Sequence, residues 1–206
     1  LFFANRIKYF IVYISNIKNQ VLIIKTKIMK RFIYPAAAFA IMIASAFTVI
    51  KSQDWKISED YSVKFTSKDP SGIFRGLKGN VMFDDKNLAA SKFDVSIDVA
   101  SINTGNGMKN THAKSEKWFD AEKYPLIKFT SSEITATAGG YQAKGTLEMH
   151  GVKKDFVIPF TFQKTDNGGI FTSSFDINRL DFNVNTAEPE HGASVVKVDI
   201  SVPVTK

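Results

Sequence analysis

The side chains able to do chemistry are few and set far apart. The chain has three histidines, His112, His150 and His191, and no cysteine. None of the three has a second histidine at the short spacing that lets one element supply two metal ligands, so no metal site is expected. No serine sits in a G-x-S-x-G elbow and no glycine-rich loop opens onto a helix, so no catalytic residue is assigned. His150 stands beside Gly151 and reads as an exposed turn residue. His112 lies in a polar stretch with Asn110, Lys114 and Trp118, where a hydrogen bond that pins the loop and a contact with a bound molecule are both open readings. Arg179, between Asn178 and Leu180, has the same ambiguity: an outward ion pair with Asp181 or Asp176, or a contact with the polar group of a ligand.

The elements that must position these residues repeat every second residue. Phe93-Asp94-Val95-Ser96-Ile97-Asp98-Val99 alternates apolar and polar without a slip, as do the even positions of Phe156–Phe162 and of Val196–Val202. Strict alternation gives a strand one buried and one wet face, which suits an antiparallel sheet. Eight runs follow this rule: 54–67, 73–84, 91–102, 126–137, 140–149, 155–164, 170–184 and 193–204. Turn residues part several of them, at 69–72, Gly139-Gly140, His150-Gly151 and 166–169. The seventh changes phase between Ile177 and Leu180, which predicts a bend or bulge. Residues 103–125 break the pattern, and Asn110 to Pro125 suits a short helix. The expected fold is all-β: a single eight-stranded antiparallel barrel over 54–206 with one helix or loop excursion near 110–125. At eight strands a barrel is either filled by its side chains or holds one small ligand.

The N-terminal quarter is different in kind. Residues 1–53 contain no acidic residue, and the seven basic residues of the first 46 are unopposed, leaving 20 basic against 20 acidic residues in 47–206. The net charge of +7 therefore belongs to the leader. A neutral domain offers no basic footprint for phosphates, so no nucleic-acid partner is expected. Met29-Lys30-Arg31, the uncharged run 32–50 and Ala44-Ser45-Ala46 have the order of a secretory signal over 29–46, with cleavage before Phe47 and no membrane span retained afterwards. Residues 1–28 are expected to be a leader ahead of the true start and no part of the fold. The compartment would permit disulfides, but without cysteine the domain depends on its core alone.

Several segments resemble the YceI-like family. Ser91 to Thr104 resembles its third strand, which runs into a Ser-Ile-x-Thr turn. Asn110-Thr111-His112-Ala113-Lys114-Ser115, followed by Trp118-Phe119-Asp120 and Tyr124-Pro125-x-Ile127-x-Phe129-x-Ser131, is similar to its hallmark segment. Gly145 to Lys154 resembles its G-x-L-x-x-x-G-V-x-K hairpin, and Asn178 to Phe182 its late Arg-x-x-Phe strand. The likeness implies a lipocalin-like barrel in the periplasm whose pore takes a polyisoprenoid or similar apolar lipid, with an isoprenoid quinone as another ligand. Two positions depart from it: Tyr61 and Asp69-Pro70 stand where many members carry histidine.

On that reading the inward residues Phe65, Phe83, Phe93, Val95, Ile97, Val99, Phe129, Tyr141, Leu147, Phe160, Phe162, Phe175, Phe182 and Ile200 form the wall. His112, Trp118, Phe119 and Arg179 are the mouth or lid. Alternation alone does not separate a greasy tunnel from a solid core. A lipid carrier without cofactor, an accessory protein or enzyme of quinone chemistry, and a solid barrel acting through its outer surface all remain open here. So does oligomeric state, with a dimer as one option.

Overall fold

The structure, a computed structural model, describes residues 16–19, 21–22, 53–186 and 193–206. The expected signal over 29–46 and His191 lie outside the described residues. Residues 16–19 and 21–22 are helical, and no helix among the described residues is long and apolar enough to cross a membrane.

The strands are β1 (Asp54–Ile57), β2 (Ser62–Thr66), β3 (Gly72–Phe74), β4 (Leu77–Met82), β5 (Lys92–Asp98), β6 (Leu126–Thr137), β7 (Gly140–Met149), β8 (Val152–Lys164), β9 (Gly168–Asn178) and β10 (Val195–Thr205). All pair antiparallel, and β10 closes the sheet by pairing with both β1 and β2. Ten strands make eight staves, because β1 with β2, and β3 with β4, are each one stave broken by a kink. The result is the closed eight-stranded antiparallel barrel that alternation implies.

The kinks have a local cause. Ser101 Oγ accepts the backbone N–H groups of Arg75 (3.1 Å) and Gly76 (2.9 Å), taking them off the ladder. A Cβ on Gly76 would stand 2.5 Å from that of Asp98, so only glycine fits the approach. The Tyr61 hydroxyl spans the kink, donating to the Arg75 carbonyl and accepting from Leu77 N–H at 3.0 Å.

Two further runs end earlier than their periodicity suggests. The third becomes a 3-10 turn at Val99–Ser101, capped by Asp98, whose carboxylate accepts from Ala100 N–H at 2.9 Å. The seventh stops at Asn178, whose side chain caps the turn Arg179–Phe182 by accepting from Leu180 N–H at 3.1 Å. The phase change there is a strand end and not a bulge; the bulge lies in β6, between Ser131 and Glu133.

The excursion holds one helix, α1 (Gly107–Lys114). Asn106 caps it by accepting from Met108 and Lys109 N–H, as residues of this type do at N-caps. The helix stops at Lys114, well short of Pro125, and turns follow. Between β7 and β8, His150 (φ 51°) and Gly151 (φ 76°) make the two-residue hairpin whose positive dihedrals match the strand twist.

Antiparallel alternation sets the two ends apart. The excursion 99–125, the His150-Gly151 hairpin and the Arg179 turn share one end, the lid end. The 138–139 and 165–167 turns and the β4–β5 connection share the other.

Candidate functional site

The barrel is filled at one end and hollow through the rest. At the filled end Phe83, 1% exposed, is ringed by Phe93, Tyr141, Phe160, Phe162 and Phe171 at centroid distances of 5.0 to 6.4 Å. Trp55 closes over Phe162 at 5.3 Å and donates its indole N–H to the Phe83 carbonyl at 2.8 Å. Most of these contacts are edge-on or tilted, the arrangements that ring quadrupoles favour.

Above this plug lies a cavity of about 240 Å³ bounded by 28 residues from every stave. Its wall is built in register rows. Phe65, Val198 and Phe175 lie side by side across β2, β10 and β9, and Val95, Phe129 and Leu147 across β5, β6 and β7. Only Ser96, Thr172, Ser173 and Arg179 bring polar side chains, and no histidine, aspartate or glutamate lines it. Several wall residues are only half-buried although they point inward, because they face open space: Phe65, Phe93, Val95, Ile97 and Phe175 among them. Among the described residues, no three histidine, aspartate or glutamate side chains converge as a metal site would need.

Arg179 stands at the lid end of the wall. Its side chain is held in place by backbone carbonyls: Nε donates to Ala193 O at 3.2 Å, and Nη1 to Val184 O at 2.7 Å and Asn185 O at 2.9 Å. The guanidinium also lies over the Trp118 ring, 5.5 Å from its centroid. Burial pushes its pKa down from the ordinary arginine value. Arginine starts so high that it remains a cation.

Residues 50–205 match the family of YceI-like domains. The chain belongs to that family. A UPF0312 protein of Yersinia enterocolitica is 33% identical over 121 residues, which are 56% of this chain and 63% of that protein. One of Photorhabdus laumondii is 34% identical over 118 residues, 54% and 62% of the two chains. The match thus spans less than two-thirds of the length of these curated relatives. Among solved structures, BcnA of Burkholderia cenocepacia is similar with a TM-score of 0.68 and 30% identity, over 73% of this chain and all of that one. A polyisoprenoid binding domain from Saccharophagus degradans, implicated in plant cell wall breakdown, shares the fold at a TM-score of 0.56 and 16% identity, over 75% and 99% of the two chains.

Within this YceI-like barrel the expected wall divides. Phe65, Phe93, Val95, Ile97, Phe129, Leu147, Phe160, Phe175 and Ile200 line the cavity. The other five do not. Phe83, Tyr141 and Phe162 point inward but are spent in the aromatic plug, where rings meet across the axis. Val99 and Phe182 are each 1% exposed, yet they sit in 3-10 turns, where the inward-outward rule of a strand no longer holds. Of the lid candidates, Phe119 and Arg179 reach the cavity. Trp118 acts one layer out, under the Arg179 cation, and His112 is exposed on α1 and touches the cavity nowhere. It is the His112 backbone carbonyl that pins the loop, accepting from Ser115 N–H at 3.0 Å and Oγ at 2.7 Å. His150 is no bare turn residue either: its ring meets Tyr124 edge-on at 5.0 Å and its Nδ1 lies 3.3 Å from the Phe182 carbonyl.

Proposed function

We propose that this YceI-like domain binds a polyisoprenoid or similar apolar lipid in the barrel cavity, and does so in the periplasm after export. The observation that carries the reading is the wall: 28 residues, four with polar side chains, around about 240 Å³. Water needs roughly 10–15 Å³ of such space and two or more polar partners to settle. The cavity thus has room for on the order of twenty water-sized groups, and its lining gives water little to bind. Each buried methylene contributes ~0.8 kcal/mol. About ten of them would supply ~8 kcal/mol before the cost of ordering the chain and losing its free motion. A neighbour in fold described as a polyisoprenoid binding domain is in keeping with this chemistry.

Binding is favoured over catalysis because the wall supplies no nucleophile–base pair. A quinone-modifying site would bring His112, Arg179 and a carboxylate together in the cavity, whereas His112 lies outside it. A solid barrel acting only through its surface does not suit the hollow upper part. Arg179 and the Trp118–Phe119 turn are proposed to form the floor of the lid against which a polar head rests.

The test is native mass spectrometry and lipid extraction on protein expressed with its own leader and recovered from the periplasm. The expected result is a co-purifying apolar lipid of defined mass on a protein that begins at Phe47. Repeated recovery of empty protein, together with failure to take up an added polyprenol, would sink the reading.

A further inference from the structure

The two ends of the cavity are built of well-tied elements. The plug end is packed with rings. The excursion over the lid end is fixed at several points: Ile73 and Asn103 exchange two backbone hydrogen bonds of 2.9 Å, Asn185 N–H donates to Lys117 O at 3.0 Å, and Lys109 on α1 pairs with Asp69 at 2.5 Å. With the ends so tied, a guest has the side of the barrel as a route.

One seam in the wall carries a ladder over only part of its length. β8 pairs with β7 from Val152 to Phe160, and β9 with β10 along its whole length. Between β8 and β9, however, the ladder covers only four pairs, from Thr161↔Thr172 to Lys164↔Gly169. Toward the lid end the facing edges, 152–160 and 173–178, have no ladder pair among the described residues.

Pro159 marks where the ladder stops. Its carbonyl accepts the Ser173 hydroxyl at 2.5 Å and so faces β9. In a strand a residue's nitrogen points to the same side as its carbonyl, and proline's nitrogen has no hydrogen to offer β9. Beyond it, side chains alone bridge the gap. Phe156 meets Phe175 edge-on at 5.4 Å, and Lys154 pairs with Asp181 at 3.6 Å near the rim. The cavity reaches this seam: Ile158 and Phe160 line it from β8, Ser173 and Phe175 from β9. Thr172 lines it too, although its hydroxyl meets that of Thr161 on the exposed face. Val157, on the outer face of β8 next to the seam, is apolar and 46% exposed.

A second junction, at the kinks between β1–β2 and β3–β4, is also interrupted. There the Tyr61 hydroxyl bonds backbone groups on the far side and ties the two staves together.

We propose that the β8–β9 seam is a lateral portal through which the hydrocarbon chain of an apolar lipid slides into the cavity, with Phe156 and Phe175 as its gate. This rests on the lipid-binding reading above. Backbone ladders open only by unpairing in concert, whereas an exposed ion pair and one ring contact can part and close singly.

The experiment uses a chain with no native cysteine. Phe156→Cys/Phe175→Cys is bridged with a short, reducible bis-methanethiosulfonate linker, and exchange of cis-parinaric acid is followed by fluorescence. The bridge is expected to slow uptake and release by about tenfold or more, with recovery on reduction. A bridge placed instead across Ile73→Cys and Asn103→Cys is expected to leave both rates within about twofold. Equal rates with the seam bridged and open, or slowing by the Ile73–Asn103 bridge alone, would overturn the portal. Failure of the wild-type protein to bind parinarate at equilibrium would instead strike the lipid-binding reading. Phe156 is not a wall residue, so Phe156→Ala gives a second measurement should the double variant not fold. Uptake and release should both quicken, by about two- to tenfold, the rate equivalent of one edge-on ring contact. A change in release alone, or in neither rate, counts against the gate.

Discussion

Phe83 shows how one side chain can look like a wall residue and act as a floor. It follows β4 directly, points inward and is apolar, as alternation requires. Its five ring neighbours, however, leave it 1% exposed. Removing such a ring deletes its transfer energy and opens a void that a rigid neighbourhood only partly refills. Phe83→Ala is therefore expected to cost ~3–5 kcal/mol. Each kcal/mol lowers Tm by about 2–4 °C in a domain of this size, so thermal melting followed by circular dichroism should show a fall on the order of 10 °C. A loss under about 1 kcal/mol would show that the plug is not packed as described. Arg179 makes the complementary point. Its charge sits at the wall of an apolar cavity, yet two of its nitrogens are engaged by backbone carbonyls, and Trp118 covers the cation. The sequence offered an outward ion pair or a ligand contact; the structure adds a third duty, holding the β9–β10 connection and the excursion together.

At the scale of elements, alternation located every stave because one buried face per strand is the strongest constraint a barrel imposes. What it could not reach were the places where side chains take over from the ladder. Ser101 claims two N–H groups at the β3–β4 kink, Asp98 and Asn178 cap turns that cut their strands short, and Ser131 Oγ accepts Phe93 N–H at 2.8 Å beside the β6 bulge. Serine, aspartate and asparagine do this wherever a backbone donor comes within reach, and reach depends on the partner strand rather than on neighbours in sequence. The same division explains the site: nine of fourteen expected wall residues line the cavity because they lie mid-strand, and the misses lie in turns or in the plug. Side chains also tune the outer face. Ser174 on β9 donates to Asp199 on β10 at 2.7 Å, with Lys197 Nζ 3.6 Å away, and these hold the Asp199 carboxyl below the usual aspartate value. A carboxyl lowered by folding contributes stability above its unfolded pKa, and that contribution fades as pH falls through the folded value. Carboxyl-detected NMR should place the Asp199 midpoint below that of an ordinary aspartate, and Ser174→Ala should move it back up. A midpoint unmoved by that substitution would remove the hydroxyl as the cause.

For the whole molecule, a barrel without cysteine must gain its stability from burial, while a binding site needs burial left incomplete. The two demands are met at different heights. Rings saturate one end, so the staves are held together there, and the rows above can stay apart without collapse. This separation predicts opposite responses to added volume. Val198 lies in the wall between Phe65 and Phe175, facing open space. Ala143, between Ile134 and Ile158, is fully buried and does not line the cavity. Inserting methylenes into packed core typically costs ~1–3 kcal/mol through forced rotamers and backbone shifts, whereas filling a void restores missing contacts. Val198→Phe is thus expected to leave stability within about 1 kcal/mol of the parent, or to raise it, while weakening parinarate binding by tenfold or more, about 1.4 kcal/mol. Ala143→Phe is expected to lower stability by ~1–3 kcal/mol. Urea unfolding and fluorescence titration on the two variants measure both quantities. If Val198→Phe destabilises as much as Ala143→Phe and leaves binding intact, the upper barrel is packed, and the ligand site must be sought on the outside of the sheet.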